Sequence, residues 1–255
     1  MTAPSLEPRD KAGFRLRGLQ ASRLETFIDA SFAFSLTLLV ISYNQLPDTV
    51  AELRQALMRV PTFLASFALI AMFWNAHRLW SRRFGLHDAW STVLGLALVL
   101  VVLVYVYPLR MVISSFLALL SGGWLPSELG LGASRQIEDV QAAFIIYSAG
   151  FGLLAWIIWR LNVHALRSAD RLALDAGEVH STRTEATIYL IMFLVAVASI
   201  AASLLVLWLA PRLGGDSRPL AGLPMWLYAL LGIIFPIYGS RRERSHPSRT
   251  DAAQG

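Results

Sequence analysis

Apolar positions dominate six stretches of the chain, approximately 24–45, 61–80, 89–109, 138–159, 185–209 and 221–239, and shorter polar segments separate them. Each is close to the roughly 20 residues that a helix needs to cross the hydrocarbon core of a bilayer. Runs such as STVLGLALVLVVLVYVY have almost no polar outer face, which a helix of a soluble domain would need. In lipid each backbone polar group must be satisfied within its own segment, so these stretches read as helices. The pattern predicts an all-α, polytopic membrane protein with six transmembrane helices per subunit.

Polar residues inside the spans are few and specific. Ser22 and Glu25, three apart, fit a capping box at the start of the first helix. Asp29 then lies about 9 Å inside that helix at 1.5 Å rise per residue. The second span runs back and brings Asn75 and His77 to a similar depth. A buried ionisable group in a membrane span is costly and marks a site by default. Asp29 and His77 therefore read either as a hydrogen-bonded network joining the first two helices or as a proton relay. At 100° per residue, Phe27, Ser31, Phe34, Leu38, Ile41 and Gln45 share one face of the first helix, and Asp29 lies well away from it. On their own, Phe34, Leu38 and Ile41 would read as core packing, and the small hydroxyl residues as helix-contact positions.

In the third span Pro108 is expected to kink or end the helix and to leave Arg110 at the outer interface. His87 and Asp88 mark that helix's start. The segment 160–184 is expected to form a short amphipathic helix at the inner surface. His164, His180 and His246 have no metal-ligand spacing and read as solvated. Tyr105, Tyr107, Trp124, Trp208 and Trp226 suit an interfacial aromatic belt.

Composition agrees with lipid as the solvent. Of 255 residues, 56% are hydrophobic and 15% charged, against about 25% charged in ordinary soluble domains. The net charge of +5 could suggest nucleic acid, but the placement of the basic residues argues otherwise. Sixteen of the 22 lie in the N-terminal segment, the second and fourth connections and the tail. That excess places both termini in the cytoplasm, as an even number of spans requires. The organisation expected is a cytoplasmic N-terminal arm over 1–22, a six-helix membrane domain over 23–240 and a disordered basic cytoplasmic tail over 241–255. The absence of cysteine excludes disulfides and thiolate metal sites. With no H-E-x-x-H, no G-x-S-x-G and no paired intramembrane carboxylates, no enzyme, cofactor or bound metal is expected.

The stretch RLETFIDA, with Arg23, Phe27 and Asp29, resembles the R-x-x-x-F-S-D signature of the transmembrane protein 175 family, with Ile28 in place of the serine. An LTLLV run follows, and FWNAHRLW carries Trp74 and His77 at the family's W-x-x-H spacing. The resemblance implies a potassium-selective cation channel of the bacterial inner membrane. It implies a homotetramer of six-helix subunits, with K+ and the lipid bilayer as partners and the pore lined by the first helix of each. Its constriction positions fall on Phe34, Leu38 and Ile41, and its potassium-preferring hydroxyl on Thr37. Arg23, Phe27, Asp29, Trp74, Asn75 and His77 would form the motif and helix-packing network. An aliphatic residue is usual where Phe34 stands. A hydrophobic constriction gates by shedding water. The alternative is a proton-coupled membrane carrier that uses Asp29 and His77 as its exchange site.

Overall fold

The structure, a computed structural model, describes residues 8–10, 13–41, 48–129, 137–213 and 222–228. Six named helices follow one another: α1 (Arg23–Ile41), α2 (Val50–Met58), α3 (Val60–Phe84), α4 (Ala89–Leu120), α5 (Ile137–Arg167) and α6 (Ala176–Leu213). There is no β-strand among the described residues. Four helical segments are long and apolar enough to cross a membrane: Val50–Phe84, Ala89–Leu120, Ile137–Arg167 and Ala176–Arg212. They correspond to the second to fifth stretches expected from the sequence, and α1 to the first. Of the sixth stretch only 222–228 is described, with Met225 buried and Tyr228 set edge-on to Tyr147 at 5.2 Å between ring centroids. The tail over 241–255 lies outside the described residues.

α2 departs from the six-span pattern. Thr49 caps it by accepting from the Glu52 N–H at 3.2 Å, and Glu52 accepts the Asp48 N–H at 2.9 Å. None of its residues is buried, and Val50, Leu53 and Leu57 are exposed. A turn at Arg59 and a proline in the first turn of α3 separate the two helices.

Of the two effects expected of Pro108, a kink or an end, the end does not occur. α4 continues for twelve residues beyond the proline, to Leu120, because the continuation has something to cover. Val112, Ser114, Ser115 and Ala118 are buried there. The following loop folds back on them: the Glu128 N–H donates to Ser114 Oγ at 3.0 Å, and Arg110 pairs with the Glu128 carboxylate at 2.8 Å. Packing offsets the backbone hydrogen bond that proline cannot make.

The amphipathic helix expected over 160–184 is absent as well. α5 runs on to Arg167, a turn occupies 168–175, and α6 begins at Ala176. Asp88 caps α4 through the Ser91 N–H at 2.8 Å, and its second oxygen meets His164 Nε2 at 2.6 Å. His164 is thus paired rather than solvated. Burial works to raise the Asp88 pKa, but the Ser91 and His164 contacts outweigh it and hold the carboxyl below its ordinary value.

The core lies among α1, α3, α4, α5 and α6, where Ile28, Phe32, Phe73, Tyr105, Phe151 and Met192 are buried. Small residues set the helix spacing. A Cβ added at Gly152 would come within 3.0 Å of Ala196 Cβ on α6, so the two backbones approach closely.

Candidate pore helix and its anchors

α1 begins with the capping box read from the sequence. Glu25 N–H donates to Ser22 Oγ at 3.2 Å, and Ser22 N–H to Glu25 Oε2 at 2.7 Å. The remaining Glu25 oxygen accepts from the Ser81 hydroxyl, which ties the start of α1 to the end of α3. Along α1, Ile28, Phe32, Ser35 and Leu39 are buried, a stripe at i, i+4, i+7 and i+11. Phe27, Phe34, Thr37 and Val40 are exposed on the single chain, and Ser31 and Leu38 are half-buried. Phe34 keeps 56% of its surface accessible, so it is not packed inside its own chain. Ile41 is the last residue of the helix, and its side chain lies outside the described residues.

The Thr37 hydroxyl donates to the Ala33 carbonyl at 3.1 Å. Its one proton is thereby committed to the helix, and the oxygen lone pairs remain as acceptors directed away from the backbone. On the same helix Ser31 donates to Phe27 and Ser35 to Ser31, at 2.8 and 2.9 Å.

Asp29 does join helices α1 and α3, but its partner is Trp74, whose Nε1 donates at 2.8 Å. The carboxylate is exposed on the single chain rather than buried. Among the described residues no hydrogen bond links Asp29 to His77, so a direct proton relay between them has no contact to run through. His77 is buried and tilted against Trp80 at 6.3 Å between centroids. Trp80 Nε1 donates in turn to the Leu161 carbonyl at 2.9 Å. Asn75 accepts from Arg78 at 3.0 Å, and Arg78 lies over the Trp74 ring at 5.0 Å. Arg23 is exposed at the first position of α1.

A second anchor was not anticipated. The N-terminal arm lies across the ends of α3 and α6. Glu178, in the first turn of α6 and 2% exposed, takes the Arg15 N–H at 2.8 Å and both terminal nitrogens of Arg17 at 3.2 and 2.8 Å. It also forms a capping box with Asp175, accepting its N–H at 3.1 Å and donating its own at 2.9 Å. Arg83 joins Asp10 at 3.0 Å and Glu185 at 2.6 Å and covers the buried Phe14 ring at 4.2 Å. Gly18 slides past α3 where any Cβ would strike the Ser81 carbonyl. The D-x-x-E spacing of Asp175 and Glu178 was visible in the sequence as a helix start. That the same carboxylate would also bind the arm was not.

These features define a polytopic helical membrane protein whose first helix is held at one end and presents an unfilled apolar and hydroxyl face. A profile described as "Endosomal/lysosomal potassium channel TMEM175" matches residues 23–108. A protein named "Potassium channel" from Marivirga tractuosa is 30% identical over 240 residues, 91% of this chain and 92% of its own length. The crystal structure of a threonine-to-alanine variant of the potassium channel MtTMEM175, solved with a nanobody–MBP fusion protein, superposes with a TM-score of 0.73. It shares 27% identity over 92% of this chain and all of that one. The chain belongs to the TMEM175 family of potassium channels, and it is not an enzyme.

Proposed function

We propose that the protein is a potassium-selective channel in which four subunits bring their α1 helices together around a central pore. Phe34, Leu38 and Ile41 form the water-shedding constriction, and Thr37 supplies a ring of oxygen ligands. In the full assembly each subunit contributes six spans, with both termini in the cytoplasm of a bacterium and the spans in its inner membrane. The exposure of Phe34 and Thr37, opposite the buried stripe of α1, carries this reading. A helix buried along one stripe against its own chain leaves the opposite face for other copies or for water. The Thr37 hydroxyl supports the selectivity part, because a cation needs lone pairs and the proton is already bound by Ala33.

Potassium flux from loaded vesicles tests conduction without assuming a stimulus. The protein in vesicles holding potassium inside and sodium outside should release potassium when a proton ionophore balances charge. It should release it without any counter-substrate. Flux that saturates and requires a proton gradient would instead favour the carrier reading based on Asp29 and His77.

A further inference from the structure

Arg160 sits on α5, two turns before its end, and its guanidinium lies among three indoles. Trp90 from the first turn of α4 is at 5.6 Å from the guanidinium carbon, Trp156 at 5.8 Å and Trp159 at 5.9 Å. All three are within the range at which a ring face attracts a cation. The edges of the guanidinium are another matter. No hydrogen bond or ion pair to Arg160 occurs among the described residues, and its buried Nε has no partner. Asp88, two residues before Trp90, has one oxygen on the Ser91 N–H and the other on His164, one turn beyond Arg160 on α5.

Arginine is charged at every relevant pH, and a cation near a membrane boundary is held there only by partners or by water. The guanidinium carbon lies over the faces of the three rings, and a ring face offers no hydrogen-bond acceptor of ordinary strength. The in-plane N–H donors of the guanidinium are left for an acceptor approaching from the edge, and a phosphate matches that fork with two oxygens at once. Indoles prefer the level of the lipid headgroups, and Trp90, in the first turn of a membrane-length helix, keeps 42% of its surface exposed. We infer that Arg160, with Trp90, Trp156 and Trp159, forms a binding site for the headgroup phosphate of an anionic phospholipid at the end of the bundle that carries the N-terminal arm. The lipid's acyl chains continue along the apolar outer surface of α4, where Leu96 and Leu100 are exposed. That this is the cytoplasmic leaflet rests on the topology proposed above. The contact itself does not.

The test counts lipid molecules retained by the delipidated, assembled channel in native mass spectrometry, so it does not depend on conduction. Short-chain phosphatidylglycerol, short-chain phosphatidylcholine and inorganic phosphate are the three probes. Phosphatidylglycerol should bind the unaltered protein in preference to phosphatidylcholine, and inorganic phosphate should not displace it at equal concentration. Arg160→Gln should weaken phosphatidylglycerol binding about tenfold, the loss of a charge-assisted pair. Trp90→Leu, which leaves α5 untouched, should weaken it in the same direction, so the site stays testable if Arg160→Gln fails to assemble. Arg82→Gln, at an exposed arginine, should bind as the unaltered protein does. Equal binding by Arg160→Gln or Trp90→Leu, no preference over phosphatidylcholine, or displacement by inorganic phosphate would overturn the assignment.

Discussion

Ile28 stands where the family signature has serine, and the structure shows what accompanies the exchange. Ile28 is fully buried, and a Cβ added to Gly95 on α4 would lie 2.8 Å from its Cδ1. The terminal methyl group fills the space over a glycine. Gly95→Ala should therefore overpack the site and cost about 1–3 kcal/mol, seen as a lower melting temperature in detergent. Ile28→Val removes the clashing methyl and should cost about 0.5–1.5 kcal/mol alone. Combined, the two should be less harmful than their sum, because each relieves the other. Strictly additive losses would show that Ile28 and Gly95 are not in contact. This pairing could not be read from the chain, since nothing in sequence spacing aligns position 28 with position 95. The capping box of Ser22 and Glu25 could, because both partners lie within one turn. Equal depth along two antiparallel helices brought the Asp29 level of α1 to the right stretch of α3. It did not fix which side chain on α3 would turn toward it, and Trp74 rather than His77 does.

The helices repeat that division between local and distant signals. The first five apolar stretches became α1 and α3 to α6, since length and hydropathy act within a segment. Pro108 does not end α4, because its cost is local, whereas the gain from burying Ser114, Ser115 and Val112 is not. α2 carries no long apolar run, so its only signal in the sequence is the Thr49 and Glu52 helix start. Helix spacing gives a sharp test at Gly150, where a Cβ would enter the Tyr105 ring from α4. Gly150→Ala must push α4 and α5 apart or turn that buried ring, so the melting temperature should fall more than for Ala143→Gly, a change on the same helix at a half-buried position. A neutral Gly150→Ala would show that the two helices are less closely packed.

For the molecule as a whole, the arm and α1 are one continuous strap: Glu178 holds its beginning, and its end lines the proposed pore. Glu178→Gln leaves Arg17 with no anionic partner in a largely buried place, a change that costs about 3–5 kcal/mol where a buried pair is broken. The arm should come loose, and trypsin should then cut after Arg15 and Arg17, whereas the unaltered protein should resist cleavage at both. Unchanged protection would remove Glu178 as the anchor. Charge counting along the sequence puts the arm on the basic side of the membrane but names no partner for Arg15 or Arg17. The partners of the arm's arginines, Asp175 and Glu178, lie more than 150 residues away in the chain, and only folding brings them together.

The central claim is that α1 faces the permeation path. The chain has no cysteine, so a single introduced thiol reports on one position alone. Thr37→Cys channels in a planar bilayer, carrying potassium current under a potassium-against-sodium gradient, should be blocked by micromolar Cd2+ as several thiolates around the axis share the ion, and a chelator should restore the current. Leu100→Cys, on the exposed outer face of α4, should conduct unaffected. Current through Thr37→Cys that ignores Cd2+, with a reversal potential still set by potassium, would mean that the ions pass somewhere other than along this helix.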